Sequence, residues 1–372
     1  MPDLEYYLGT EKDDASLRTV LRDTPMGGSI SLKFEREPSF FGVKNLEGSF
    51  NQTIVGFDNN LNKIIGLTSR SIREYHFNGE VHSIGYLGLL RVLKEYQRGF
   101  PLIMGYKFMK QLHQDMRAKF YLTSIMEGNE IAIKLLTSGV KGLPRYQEYT
   151  RFCTRSIPIR SKPRKAKGLS SFSISKCSVN DKTKLIDFLN EYGKKHQFYP
   201  NWTIDTLFHH DHTPGLKESD MLIARQKDKI VGCMAMWDQR AFRQTIVRGY
   251  QNGLSKVTWL VNSTARIFGY PQLPRTNAEL KSCFISHVAI EGNDPEIFKM
   301  LLIHCHNTLI ESEVEYMVVG FSDLHPFNNN VTSIFYNVPT YSHIYLVSWE
   351  DDCIDPLGMI DNRLPGIEVA IL

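Results

Sequence analysis

The stretch with the most chemistry in it is Tyr86-Leu-Gly-Leu-Leu-Arg-Val92, followed by Leu93-Lys-Glu-Tyr-Gln-Arg-Gly99 and an apolar periodic run from Pro101. A strand that turns into a helix start aims several backbone N–H groups and the positive end of the helix dipole at one point. That arrangement holds pyrophosphate with few cationic side chains. Gln97, Arg98, Gly99 and Phe100 stand where such an anion would sit. A second grouping, His209-His-Asp-His212, has ligand types that suit zinc. Adjacent residues project in different directions, so exposed loop histidines are expected and no metal. His304 and His306 are two apart on an expected helix and cannot share a face.

The elements that must position these residues can be read from period and turn chemistry. Gln52 to Phe57, Lys63 to Tyr75 and Val81 to Val92 read as an antiparallel meander, with Asn78-Gly79 supplying the positive φ angles of a tight turn. A helix from Pro101, a strand Phe120 to Ile125, a helix from Asn129 to Thr137 and an extended run Tyr149 to Ile159 follow. From Phe172 a similar order begins again: strand, helix Asn180 to Tyr192, strands Met221 to Gln226 and Ile230 to Gln239, strand Ser282 to Ile290, helix Phe298 to Ile310, strand Tyr316 to Phe321. The repeat lies in element order, not in residues, and it predicts a duplicated α/β (α+β) architecture. The expected division is a first domain over 1–160, a basic linker over 161–170 and a second domain over 171–372.

Bulk properties agree with two cores. At 372 residues the chain exceeds one ordinary domain, and its 42% hydrophobic and 23% charged content is near the globular average. The formal charge of +4, from 44 basic against 40 acidic residues, is too small to mark a phosphate-tracking surface, so no nucleic acid is expected. Arg160-Ser-Lys-Pro-Arg-Lys-Ala-Lys167 reads as a solvated connector. The six cysteines are scattered without a C-x-x-C pair, which fits reduced thiols in a cytoplasmic protein. No run approaches the roughly 20 apolar residues of a membrane span, so no membrane partner is expected.

The approach Arg91-Val92, Glu95-Tyr-Gln-Arg-Gly99 resembles the GNAT superfamily of acyl-CoA-dependent N-acyltransferases, whose fourth strand enters a helix through Gln/Arg-x-x-Gly-x-Gly/Ala. Here the small positions fall on Phe100 and Leu102, or on Pro101 and Ile103, so the glycines are missing. A second segment, Thr123-Ser-Ile-Met-Glu-Gly-Asn129 followed by Leu135-Leu136 and Ser138-Gly139, looks like the superfamily's fifth strand and next helix, opened by an asparagine.

The resemblance implies two tandem GNAT-like domains, each a mixed, mainly antiparallel sheet flanked by helices, and acetyl-CoA or another acyl-CoA as co-substrate. It assigns the acyl-CoA contacts to Leu90, Arg91, Val92, Gln97, Arg98, Gly99, Phe100 and Asn129. A backbone amide among Leu90 to Val92 would polarise the thioester carbonyl. The superfamily's tyrosine, which protonates the leaving thiolate, is matched by Leu136, leaving Tyr146 or Tyr149 as the nearest phenols. The acceptor, a small-molecule or peptide amine, needs a base, for which Glu74 and His82 are candidates. In the second half, Glu291 and Asp294 stand where pyrophosphate would bind, which implies a degenerate copy. The competing expectation is a non-catalytic tandem protein that binds a ligand or partner.

Overall fold

The turn at Asn78 and Gly79 adopts the geometry its sequence demands: both residues have positive φ, 52° and 88°, and the strands they join pair antiparallel from Phe77 opposite Glu80 outward. In the computed structural model, which describes residues 3–25, 30–97, 100–165, 171–209, 211–250 and 254–372, the first half carries β1 (Leu4–Leu8), α1 (Asp14–Asp23), β2 (Ile30–Glu35), β3 (Phe50–Asp58), β4 (Lys63–Phe77), β5 (Glu80–Val92), α2 (Phe100–His113), β6 (Tyr121–Met126), α3 (Glu130–Leu136) and β7 (Arg145–Pro158).

The second half carries β8 (Ser173–Lys176), α4 (Lys182–Gly193), β9 (His196–Gln197), β10 (Tyr199–Pro200), α5 (Ile204–Phe208), β11 (Met221–Gln226), β12 (Lys229–Trp237) and β13 (Gln244–Tyr250). After these come α6 (Leu254–Phe268), β14 (Ser282–Ile290), α7 (Pro295–Leu309), β15 (Tyr316–Ser322), α8 (Phe327–Ile334), β16 (Val338–Ser348) and β17 (Leu364–Pro365). The reading from sequence contained neither β13 nor α6.

One sheet of 13 strands runs through the described residues in the order β1-β3-β4-β5-β6-β16-β7-β15-β14-β12-β11-β8, with β10 added alongside β4. The order is the same from either end. Each half contributes three antiparallel neighbours, then a parallel partner (β5 with β6, β14 with β15), then an antiparallel neighbour taken from the other half. The exchange happens at the centre, where β7 pairs with β15 and β16 with β6, and the two pair with each other over eleven residue pairs from Val338–Ser156 to Ser348–Arg145. The result is a mixed, mostly antiparallel sheet flanked by helices. Strands of both halves thus belong to one sheet among the described residues.

Packing follows the sheet. Phe298, Leu301 and Leu302 of α7 cover Met234, Ile285 and Met317, while Tyr106 and Met109 of α2 cover Ile54, Leu87 and Ile125. The cysteines are all free, and five of the six are buried. No helix among the described residues is long and apolar enough to cross a membrane.

Candidate active site at the divergence of two parallel strands

The parallel contact between β5 and β6 lasts two residue pairs, Gly85 opposite Tyr121 and Tyr86 opposite Leu122. It is close: a Cβ on Gly85 would stand 2.0 Å from the Tyr121 ring, so only glycine permits the approach. Past Tyr86 no ladder pair joins the two strands, and a single side-chain bond, Thr123 Oγ1 donating to Leu87 O at 2.7 Å, bridges them.

Immediately beyond, Leu89 takes a left-handed φ of 54°. Against β4 the register slips, with Ser69 opposite Gly88 but Leu67 opposite Arg91. Leu89 and Leu90 therefore face the single residue Thr68, whose Oγ1 donates to Gly88 O at 2.9 Å. Such a bulge turns backbone groups out of the ladder and re-aims them. The strand then ends in a short turn, where Gln97 Nε2 donates to Val92 O at 3.0 Å, before α2 begins at Phe100. The Tyr6 hydroxyl donates to Pro101 O and ties the start of α2 to β1. Arg98 and Gly99 lie outside the described residues.

Two different environments flank the bulge. On the α2 side, Leu87, Leu90, Ile125, Leu136 and Tyr146 share one apolar cluster with Tyr106. The Tyr106 and Tyr146 hydroxyls are 2.6 Å apart; burial raises Tyr106 to about 12 and drives Tyr146 well above the usual phenol range. Both keep their protons at neutral pH. A narrow cleft with about 40 Å³ of room for water-sized molecules, partly open to solvent, runs under α2 past Leu90, Val92, Leu102, Gly105 and Tyr106.

On the other face, Ser69 Oγ donates to Glu47 Oε2 at 3.1 Å, and Glu47 is ion-paired with Arg36. Burial alone would raise the Glu47 carboxyl, but Arg36 and Arg243 hold it below the ordinary range. Arg91 donates from Nη1 to Leu90 O at 2.9 Å. Its guanidinium is lowered by burial first and by Arg36 second.

The other expected residues fall in several places. Asn129 caps α3, its side chain accepting from Ala132 N at 3.3 Å. Glu74 is exposed and accepts from Asn201 Nδ2 at 3.0 Å. His82 is exposed with its ring edge-on to Phe77 at 5.8 Å. Both sit at the hairpin end of the meander, and His82 is seven residues, about 23 Å of strand, from Leu89. The structure does not bring them to the bulge. Tyr149 packs on the opposite side from Tyr146, against Phe198 at 5.2 Å. His209 is exposed, and no group of three ligand-type side chains that could hold a metal is found among the described residues. Sequence reasoning missed Glu47, Arg36 and Tyr106. Tyr106 carried a signal, since it lies on the expected buried stripe of its helix; Glu47 is a lone acid in a loop and carried none.

The second half repeats the geometry. Parallel pairing of β14 with β15 ends at Phe284 opposite Val318. Three residues later His287 has φ 52°, and the register against β12 slips between Cys233 and Ala235. Its functional groups are occupied, however. The His287 N–H donates to Glu368 Oε2 at 2.7 Å. Asp294 caps α7, accepting from Glu296 N at 2.8 Å, and Glu291 is paired with Lys229.

A splayed parallel pair with a bulge just past the last contact, inside a meander that leads to a helix, decides the architecture. The fold is that of the GNAT superfamily. Solved structures share it over nearly the whole chain at low identity. A GCN5-related glucosamine N-acetyltransferase region of a fungal multi-domain GH3 β-N-acetylglucosaminidase is 14% identical, with TM-score 0.63, covering 93% of this chain and 38% of that one. This chain thus spans well under half of that protein. Saccharomyces cerevisiae N-myristoyltransferase, solved with bound myristoyl-CoA, is 11% identical with TM-score 0.61 over 93% of this chain and 83% of that one. A GCN5-related N-acetyltransferase from Sphaerobacter thermophilus is 9% identical with TM-score 0.56 over 100% of both chains. No family model matches the sequence, and no curated protein matches it. Likeness at these identities concerns the GNAT fold, and function must be argued from the site.

Proposed function

We propose that the protein is an acyl-CoA-dependent N-acyltransferase in which the first of two tandem GNAT-like halves holds the acyl-CoA, most simply acetyl-CoA, and an amine attacks the thioester directly. The observation that carries this is the left-handed bulge at Leu89 beside the gap between β5 and β6. A bulge there presents backbone amides of Leu90 to Val92 to a developing oxyanion, and one preorganised donor is worth about 3 kcal/mol in a dry site. Diphosphate oxygens would lie at the start of α2, near Gln97, Arg98, Gly99 and Phe100.

Departure of the thiolate needs a proton. Tyr146, hydrogen-bonded to Tyr106 of α2 and protonated at neutral pH, is the phenol we assign to that step. It stands in the cluster that contains Leu136, the position at which the superfamily's tyrosine is missing. The second half supports a degenerate role: a carboxylate caps its bulge amide and another caps its helix start. Cytoplasmic location fits the free thiols.

One observation favours the non-catalytic alternative, a tandem GNAT-like protein that binds a ligand or partner. Leu87, Leu90, Ile125 and Leu136 close the wedge with side chains of the chain itself. Calorimetric titration of the full chain with acetyl-CoA, and of Arg98→Glu, separates the two. Saturable heat that the variant abolishes supports the transferase; absence of heat at about millimolar ligand removes it.

A further inference from the structure

Helix α6, absent from the sequence reading, differs from the other long helices. α7, also of 15 residues, buries Phe298, Leu301, Leu302 and Cys305. Among the described side chains of α6 none is fully buried, and Trp259, Ile267 and Phe268 are 70%, 79% and 59% exposed. A helix normally hides its apolar side chains against a core. Here an aromatic and two large apolar residues face water, and Tyr336, 69% exposed, stands beside the helix end through its ring contact with Tyr270 at 6.3 Å.

The segment that carries this helix is basic. From Arg248 to Ala278 the chain contains Arg248, Lys256, Arg266 and Arg275 and no Asp or Glu before Glu279. The basic run lies against the C-terminal end of α6: Ser161 N donates to Gly269 O at 2.9 Å and Arg160 Nε to Phe268 O at 3.0 Å. That anchoring leaves Lys162, Arg164 and Lys165 exposed. Acidic residues adjoin the start of the run, where Ile159 N donates to Glu315 O at 2.8 Å and Glu311 and Glu313 precede it.

We propose that α6 and the adjoining residues 160–165 form a docking surface for an anionic phospholipid bilayer, with Trp259 and Ile267, about 80° apart around the helix, entering the headgroup boundary and the lysines and arginines contacting lipid phosphates. An interfacial helix combines an apolar edge with a basic surround, and each cation near an anionic leaflet adds to the attraction. Nucleic acid would satisfy the cations but leave Ile267 in water. Lying on a bilayer needs no spanning run, so the surface is compatible with the lack of a membrane-crossing helix among the described residues. It departs from the expectation of no membrane partner.

The protein contains its own probe. Trp202, Trp237 and Trp349 are 1%, 1% and 3% exposed, so a change in tryptophan emission reports Trp259. The full chain is mixed with vesicles of phosphatidylcholine alone, or with about one-third phosphatidylserine, with and without brominated acyl chains. Expected are a blue shift and bromolipid quenching on the anionic vesicles, binding about tenfold tighter than to the neutral ones, and severalfold weakening as salt is raised. Trp259→Ser with Ile267→Ser should lower binding at least about tenfold at an unchanged melting temperature. Equal binding to both vesicles, absence of quenching in the unmutated protein, or retention of affinity in the double variant overturns the proposal. So does a concentration-dependent dimer that shields Trp259 without lipid, or tighter binding to a duplex oligonucleotide than to the vesicles.

Discussion

Leu89 and His287 occupy the same place in the two halves. Each stands three residues after the last parallel pair, Tyr86 with Leu122 and Phe284 with Val318, and each has a left-handed backbone, φ 54° and 52°. Neither is glycine, so at both points the surrounding ladders hold a conformation that costs an ordinary residue about 1–2 kcal/mol. The halves differ in what the bulge then meets: a wedge beside α2 in the first, the Glu368 carboxylate in the second.

This conformation sets the tolerance of position 89. Leu89→Gly relieves the steric cost while losing some packing, and its net effect on stability should be small. Leu89→Val, with branching at Cβ, should destabilise by about 1–2 kcal/mol relative to Leu89→Gly. Urea midpoints of the two variants test the ranking, and equal midpoints would contradict it.

The tyrosine pair makes separable contributions. Tyr146→Phe leaves the buried Tyr106 hydroxyl without this partner, 2.6 Å away in the native structure, and should cost about 1–2 kcal/mol. Tyr106→Phe should cost a similar amount, and the double variant less than the sum, the signature of one shared bond. If Tyr146 supplies the thiolate's proton, its loss lowers turnover by about 100-fold and Tyr106→Phe lowers it far less.

Arg36 and Glu47 form a buried pair, with side chains 7% and 6% exposed. Removing one charge strands the other, so Arg36→Met should destabilise by about 3–5 kcal/mol. Arg36→Met combined with Glu47→Gln should recover much of that loss in chemical denaturation.

Glu368 gives stability a pH dependence of known sign. Burial raises its carboxyl from 4.5 to about 7, against the opposing Ala370 and His287 amides and Arg73. The folded protein therefore holds a proton that the unfolded chain releases near its ordinary value. This contribution is full at low pH and is lost as pH rises to about 7, a change of about 3 kcal/mol. Subtracting the stability of Glu368→Gln from that of the native protein across this range should reveal the loss; a flat difference would refute it. His287 acts in the opposite sense. Burial, then Arg73, lowers it from 6.5 to about 3, so its contribution is present above 6.5 and falls away as pH drops toward 3.

The residues by themselves determined the local steps. Alternation and Asn78-Gly79 specified the meander, the Pro101 run specified α2, and Asn129 specified the start of α3, because these depend on neighbours a few positions away. The order of elements made a repeated α/β architecture legible. Only the tertiary structure decided that the halves share one sheet, since β7 and β16 trade places over nearly 200 residues and no local pattern records which distant strand a strand will meet. The same holds for the site. Glu74 and His82 satisfied a search by residue type, yet the meander carries them to its far end. Tyr106 meets Tyr146, and Glu47 meets Arg36, through packing that brings remote segments together. Backbone strain at Leu89 is likewise invisible in composition: a leucine adopts it only because the ladders on both sides leave the chain no other path.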